Sequence, residues 1–177
     1  MTLLFMILSF QELTSKDPII KYEKLLDLGR ISIERGSKMK NVAIANIADL
    51  NKIVGIDSEI IGNTSRRKLI KNAIDAGRCI IAMEEDNIAG FLIYDTNFFE
   101  CSFISLIIVS PSKRRKGYAS LLMDYMLSIS TTAKVFSSTN RSNISMHKVF
   151  NSNGFIQSGI VENLDDGDPE IIYFKSK

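Results

Sequence analysis

The run Val109-Ser-Pro-Ser-Lys-Arg-Arg-Lys-Gly-Tyr-Ala119 carries the residue types that hold an anion. Lys113, Arg114, Arg115 and Lys116 place four positive charges in succession, and Gly117 follows them. A glycine there permits a turn in which successive N–H groups converge, and small Ala119 lets a ligand approach the first turn of the next helix. Those N–H groups and the helix dipole then face negative charge. A pyrophosphate with a ribose phosphate beside it suits that field. The same residues could form a solvated basic turn, because short glycine patterns are common. What flanks the loop separates the two readings.

Before the loop, residues 103–109 are a nearly continuous apolar run, which predicts a central strand covered on both faces. Pro111 ends that strand, having no ladder N–H to give. After the loop, Leu121, Leu122, Tyr125, Met126 and Ile129 fall on one helical stripe. Upstream, residues 42–45 read as a short strand and residues 47–54 as a helix. Asn63, Thr64 and Ser65 offer N-caps to a further helix with Leu69, Ile70, Ala73 and Ile74 on one face and Gly77 at its end. Residues 79–83 and 88–94 form a hairpin pattern around Glu84-Glu85-Asp86-Asn87. Downstream come a strand at 133–137, a short helix at 143–152 ending near Gly154, and strands at 155–161 and 171–174. The fold class is α/β of the α+β type, one domain over residues 40–177 with residues 1–39 as an N-terminal extension.

The second motif lies in the short helix. Asn143, Met146, Val149-Phe150 and Gly154-Phe155 follow in order, and Asn143 and Phe150 project from one helix face. With Arg114, Gly117 and Ala119 opening a helix after a central strand, the chain resembles the GNAT superfamily of acetyltransferases over about residues 40–174. The resemblance implies a central mixed, mostly antiparallel sheet with helices on both faces and splayed central strands. It implies acetyl-CoA as co-substrate. The backbone of Ile107, Ile108 and Val109 would pair with the pantetheine arm. The N–H groups of Arg115, Lys116, Gly117, Tyr118, Ala119 and Ser120, with Arg114, would hold the pyrophosphate. Asn143 would bond the pantetheine, and the Phe150 ring would border the thioester.

The resemblance fails where protons move. Phe150 stands where members often carry a tyrosine that protonates the thiolate. Phe103 stands where many carry a glutamate that takes the amine's proton, and Ser138 where others place an acid. General acids and bases contribute about 10²- to 10⁴-fold each, so their loss slows such an enzyme without abolishing it. A thiolate of pKa about 8.5 leaves tolerably unaided. A lysine-like amine of pKa about 10.4 needs deprotonating help. Glu100, at the mouth of the central strand, and Glu162, after the penultimate one, are the catalytic candidates. The loop at 162–170 holds five acids and no base, as a soluble turn or as a lip attracting a cationic amine. His147 reads as a surface or interface residue facing away from Asn143. Tyr118 packs on the helix start, and neither it nor Tyr173 is assigned a catalytic role.

These features imply transfer of an acetyl group from acetyl-CoA to the primary amine of a small-molecule or peptide acceptor by direct attack. The alternative is a non-catalytic acyl-CoA sensor that kept the slot and lost fast chemistry. A net charge of +2 gives no reason for a nucleic-acid or membrane partner. Cys79 and Cys101 read as strand thiols rather than a disulfide, with no metal site, in a cytoplasmic monomer or homodimer. Residues 1–10 are apolar but half the length of a spanning helix. They read as a segment packing on the domain or a second subunit, or as translation upstream of a start at Met39. Glu34-Arg35-Gly36, with purine-rich codons of the ribosome-binding kind, motivates the latter.

Overall fold

The computed structural model describes residues 23–25, 30–35 and 38–177, with side chains from Lys40 onward. The expectation for residues 1–10 lies outside the described residues. Among the described residues, strands β1 (Glu23–Leu25), β2 (Arg30–Arg35), β3 (Lys38–Ile44), β4 (Cys79–Glu84), β5 (Asn87–Phe98), β6 (Cys101–Val109), β7 (Lys134–Asn140), β8 (Ile156–Val161) and β9 (Glu170–Ser176) form a single sheet. Their order is β1-β2-β3-β4-β5-β6-β7-β9-β8. Only β6 and β7 run parallel; the other neighbours are antiparallel. The chain is therefore an α/β protein of the α+β type with a mixed, mostly antiparallel sheet.

Helices cover both faces. α1 (Leu50–Ile61) and α2 (Arg67–Asp75) sit on one, α3 (Tyr118–Ile129) and α4 (Ile144–Ser152) on the other. Strand β4 is buried at every position because it feeds both cores. Ile80 and Ala82 join Leu122 and Met126 beneath α3, whereas Cys79, Ile81 and Met83 join Ile53 and Ile70 beneath α1 and α2. Alternation of side chains across the pleat produces this division.

Local signals explain most boundaries. Asn46 caps the first helical turn, its side chain accepting from the Ala48 N–H at 2.9 Å while the Asp49 carboxylate accepts from the Asn46 N–H at 3.0 Å. The helix then runs to Ile61, beyond the expected Val54, and stops at Gly62, whose φ of 75° suits a glycine. Three expectations need correction. Asn63, Thr64 and Ser65 do not cap α2, whose N-cap is Arg66; Asn63 instead closes a local turn by accepting from the Ser65 N–H at 2.9 Å. Leu69 is 51% exposed, because α2 turns only Ile70, Ala73 and Ile74 into the core. Central strand β6 is not covered throughout: Ile107 and Val109 are half-buried and Ser105 is exposed.

Candidate active site

The cause of that exposure is a fork in the sheet. β6 and β7 pair at Ser102–Val135, Phe103–Phe136 and Ile104–Ser137, and pairing ends there. Both strands continue, β6 to Val109 and β7 to Asn140. A bulge accompanies the parting: Ile93 pairs with Leu106 and Tyr94 with Ile104, which leaves Ser105 as the extra residue on β6. Such a bulge bends its strand and increases its twist. The β6 edge at Ile107, Ile108 and Val109 thus points its backbone groups into a slot where an extended ligand can add as a strand.

The basic loop closes the slot's open end. A 3₁₀ turn at Pro111–Lys113 follows β6, then Arg115 adopts φ 60° and Gly117 φ 82° before α3 begins. No side chain caps α3. The N–H groups of Tyr118, Ala119 and Ser120 therefore lack helical acceptors, while that of Leu121 reaches the Gly117 carbonyl at 3.1 Å. A Cβ on Gly117 would have nothing within 4 Å, so its surroundings are open. Arg115 and Lys116 are exposed beside these groups, and Arg114 donates from Nε to the Val109 carbonyl at 3.3 Å.

Lys113 departs from the four-cation reading. Its ammonium pairs with Glu84, which is buried at the end of β4. Pairing answers the penalty of burying a carboxylate, and it removes Lys113 from the anion field. Lys40 stands 4.8 Å over the Tyr118 ring and donates to the Lys116 carbonyl, which braces the loop from β3. Tyr118 is buried beneath the loop. Burial first, and then the neighbouring Glu84 carboxylate, push its phenol up to about 12.

On α4, Asn143 is the N-cap: its Oδ1 accepts from the Met146 N–H at 3.1 Å, and its Nδ2 donates to Thr139 Oγ1 at 3.0 Å. The exposed amide is thereby held at the β7 end of the slot. Phe150 requires a correction. It is fully buried, 4.8 Å from the Tyr173 ring and 5.4 Å from that of Phe155, so it backs the slot and has no surface for a thioester. His147 also differs from expectation. Residues four apart share a helix face, and His147 is tethered on both nitrogens, Nε2 to the Arg141 carbonyl at 3.0 Å and Nδ1 to the Tyr173 hydroxyl at 2.8 Å. The carbonyl only accepts, so Nε2 carries a proton, and in the neutral ring Tyr173 donates to Nδ1.

Neither carboxylate candidate approaches the apex of the fork. Glu100 occupies the tight β5–β6 turn with φ 61°, on the paired side, roughly 13 Å along the strand from Ile104. Glu162 is exposed and ion-pairs with Arg141 at 3.9 Å. The acidic loop has a structural duty: Asp165 accepts from Asn140 Nδ2 at 2.7 Å, and Asp168 accepts from the Ser142 N–H at 2.9 Å and hydroxyl at 2.6 Å. The Ser142 bonds hold the Asp168 carboxyl below its ordinary value. Phe103 packs on Phe98 at 5.0 Å, and Phe98 in turn meets Phe136 at 5.1 Å, from which the ladder continues to Phe174 at 5.8 Å.

Burial, followed by the Asp49 charge, pushes the Cys79 thiol up to about 12, so it stays protonated and inert; Cys101 is half-buried, and both are free. No cluster of three His, Cys, Asp or Glu side chains suited to a metal occurs among the described residues. No helix among them is long and apolar enough to cross a membrane.

A fork between two parallel strands, closed by an uncapped helix start in a basic loop, can hold a pantetheine-like arm and its pyrophosphate. The family model for the acetyltransferase (GNAT) family matches residues 48–155, which contain every part of that arrangement. This chain belongs to the GNAT acetyltransferase family. A GNAT-family acetyltransferase from Bacillus cereus ATCC 10987 is 67% identical, with a TM-score of 0.77 over 78% of this chain and 98% of its own. The Escherichia coli ribosomal-protein-S18-alanine N-acetyltransferase shares the fold at 18% identity and TM-score 0.65, over 78% of this chain and 94% of that one. The Salmonella typhimurium protein yncA, solved with acetyl-CoA, does so at 13% identity and TM-score 0.63, over 77% and 93%. Among curated protein sequences none matches.

The GNAT motifs in the sequence located the loop and the Asn143 helix. They missed the Lys113–Glu84 pair and the His147–Tyr173 pair. Each joins residues from separate elements, and only an acid ending the buried run Cys79–Glu84 hinted at the first.

Proposed function

We propose that this GNAT-family chain transfers an acetyl group from acetyl-CoA to a primary amine by direct attack. The acetyltransferase unit is residues 40–177. The observation that carries the reading is the three-residue β6–β7 pairing opening directly toward the uncapped start of α3. In that arrangement Ile107, Ile108 and Val109 pair with the pantetheine arm. The N–H groups from Arg115 to Ser120, with the Arg114 side chain, hold the pyrophosphate, and Asn143 bonds the arm from the opposite wall. Acetyl-CoA supplies the activated acyl group. The amine lone pair attacks the thioester carbonyl, an N–H of the central strand steadies the oxyanion, the C–S bond breaks to release the CoA thiolate, and the proton lost by the nitrogen passes through water to that thiolate.

A second reading, an acyl-CoA-binding sensor, is favoured by one specific fact. Phe103 and the buried Phe150 leave no proton-transfer side chain at either family position. Calorimetry with acetyl-CoA on the wild type and on Gly117→Glu tests the site, and turnover with an amine panel separates the readings. The carboxylate is expected to abolish binding by occupying the open space before the N–H groups and repelling phosphate. Unaltered binding removes the site assignment, and tight binding without any acetylated product leaves only the sensor.

A further inference from the structure

A groove of about 620 Å³ opens on the face that carries α1 and α2, between α2, β5 and β6. Lys68, Asn72, Arg78, Asp95, Asn97 and Ser105 line it. Three observations connect it to the fork. Ser105, in its floor, is the bulge residue and directly follows Ile104, the last β6 residue paired with β7. The floor therefore adjoins the apex from which the slot opens. Asp95 pairs with Phe103, so its half-buried carboxylate stands on the neighbouring strand, on the same side of the sheet as Phe103 and one pair from the apex residue Ile104. The Tyr94 N–H donates to the Arg78 carbonyl at 3.1 Å, which sets Arg78 one residue along β5 from Asp95.

Charge then decides what fits. Arg78 and Asp95 line one groove from neighbouring positions, yet they form no ion pair with each other among the described residues. Asp95 Oδ1 accepts from the Asn97 N–H at 2.9 Å, which orients its carboxylate. Lys68 adds a second cation from the other end of α2. A groove with one carboxylate next to the fork and two cations along its wall complements a ligand bearing both signs.

We propose that this groove is the acceptor site and that the acceptor is a small amine that also carries an anionic group, a carboxylate or a phosphate. The ammonium sits at Asp95 and Ser105, next to the fork, and the anion lies along Lys68 and Arg78. This rests on the acetyltransferase reading, since the groove gains its meaning from a thioester at the fork. A diamine finds one carboxylate and two repelling cations there, and is excluded by the same charges.

Two measurements test it separately. Saturation-transfer NMR, with CoA present, reads binding of phosphoethanolamine, β-alanine, ethanolamine, β-alaninamide and putrescine. Mass spectrometry reads their acetylation by acetyl-CoA. Phosphoethanolamine or β-alanine is expected to bind at least about tenfold more tightly than its counterpart lacking the anionic group, the size of one or two charge-assisted hydrogen bonds. Which of the two leads distinguishes a phosphate from a carboxylate. Lys68→Gln combined with Arg78→Gln is expected to erase that difference, and Asp95→Asn to weaken every amine, with thermal melting as the folding control. Binding with this pattern but no acetylated product upholds the groove and sinks the acetyltransferase reading. Tighter binding of putrescine, no binding of either anionic amine, or an anion preference that survives the double substitution overturns the proposal.

Discussion

On the α3–α4 side of the sheet the proposed cofactor slot offers a ligand mainly backbone: the β6 edge at residues 107–109 and the uncapped N–H groups that open α3. On the α1–α2 face the proposed acceptor groove offers side chains, Lys68, Arg78 and Asp95, standing on three different segments. Backbone recognition needs only a strand, a turn and a helix start, and those leave a contiguous mark in the sequence. Side-chain recognition here joins residues nearly thirty positions apart, from Lys68 to Asp95, and leaves no local mark. The two faces meet at Ile104 and Ser105, where the parting of β7 and the bulge in β6 coincide.

Damage confined to one face separates the two. Gly90 on β5 lies so close to β6 that an added Cβ would meet the Ile108 carbonyl oxygen at 2.6 Å and the Val109 Cα at 3.1 Å. Backbone on the neighbouring strand has little freedom to yield. Gly90→Ala is expected to cost about 1–3 kcal/mol and to displace the slot wall, weakening acetyl-CoA in calorimetry as well as lowering the melting temperature. A variant with native acetyl-CoA affinity would show that residues 107–109 do not form that wall.

The opposite face has its own latch. Asp57 on α1 is 1% exposed, and Arg66, which opens α2, bonds its Oδ1 at 3.2 Å. Arg66→Ala leaves a buried carboxylate without this partner, at an expected cost of about 1–3 kcal/mol. Denaturant melts should register that loss, and binding of β-alanine or phosphoethanolamine should weaken while acetyl-CoA binding holds. Equal weakening of both ligands would mean that the two faces are not separate.

The smallest effect belongs to the back of the slot. Tyr173→Phe keeps the ring stacked on Phe150 and deletes the hydroxyl bonded to His147 Nδ1. His147 retains its bond to the Arg141 carbonyl. A loss of about 1 kcal/mol in stability is expected, with acetyl-CoA affinity within about twofold of the wild type, since 1 kcal/mol at a distance from the ligand transmits little. A large fall in turnover alone, read by the kcat against KM split, would instead make Tyr173 part of the chemistry.

Much of the fold is legible locally. Continuous apolar runs marked β4, β5 and β6, the 3.6-residue stripe marked α3, and Gly77 and Gly117 marked a helix end and a helix start. Errors arose where side chains serve long-range duties. Lys113 looked like one more cation in a basic run, until Glu84 from β4 proved to hold it. His147 looked superficial because its partners, Tyr173 and Arg141, lie on β9 and in the β7–α4 loop. Leu69 fitted an apolar stripe, yet the helix rotates to bury only Ile70, Ala73 and Ile74.

By itself the sequence determined that a strand, a basic glycine turn and a helix follow one another, because spacing fixes what a chain can do over a dozen residues. The proposed anion site at Arg115, Lys116 and the α3 N–H groups follows from that succession. Tertiary structure alone decided that β6 and β7 part after Ile104, that Phe150 is buried behind Tyr173, and that Asp95 stands across from Phe103. Strand order and register decide such pairings, and register is set by the packing of two whole cores rather than by any short motif.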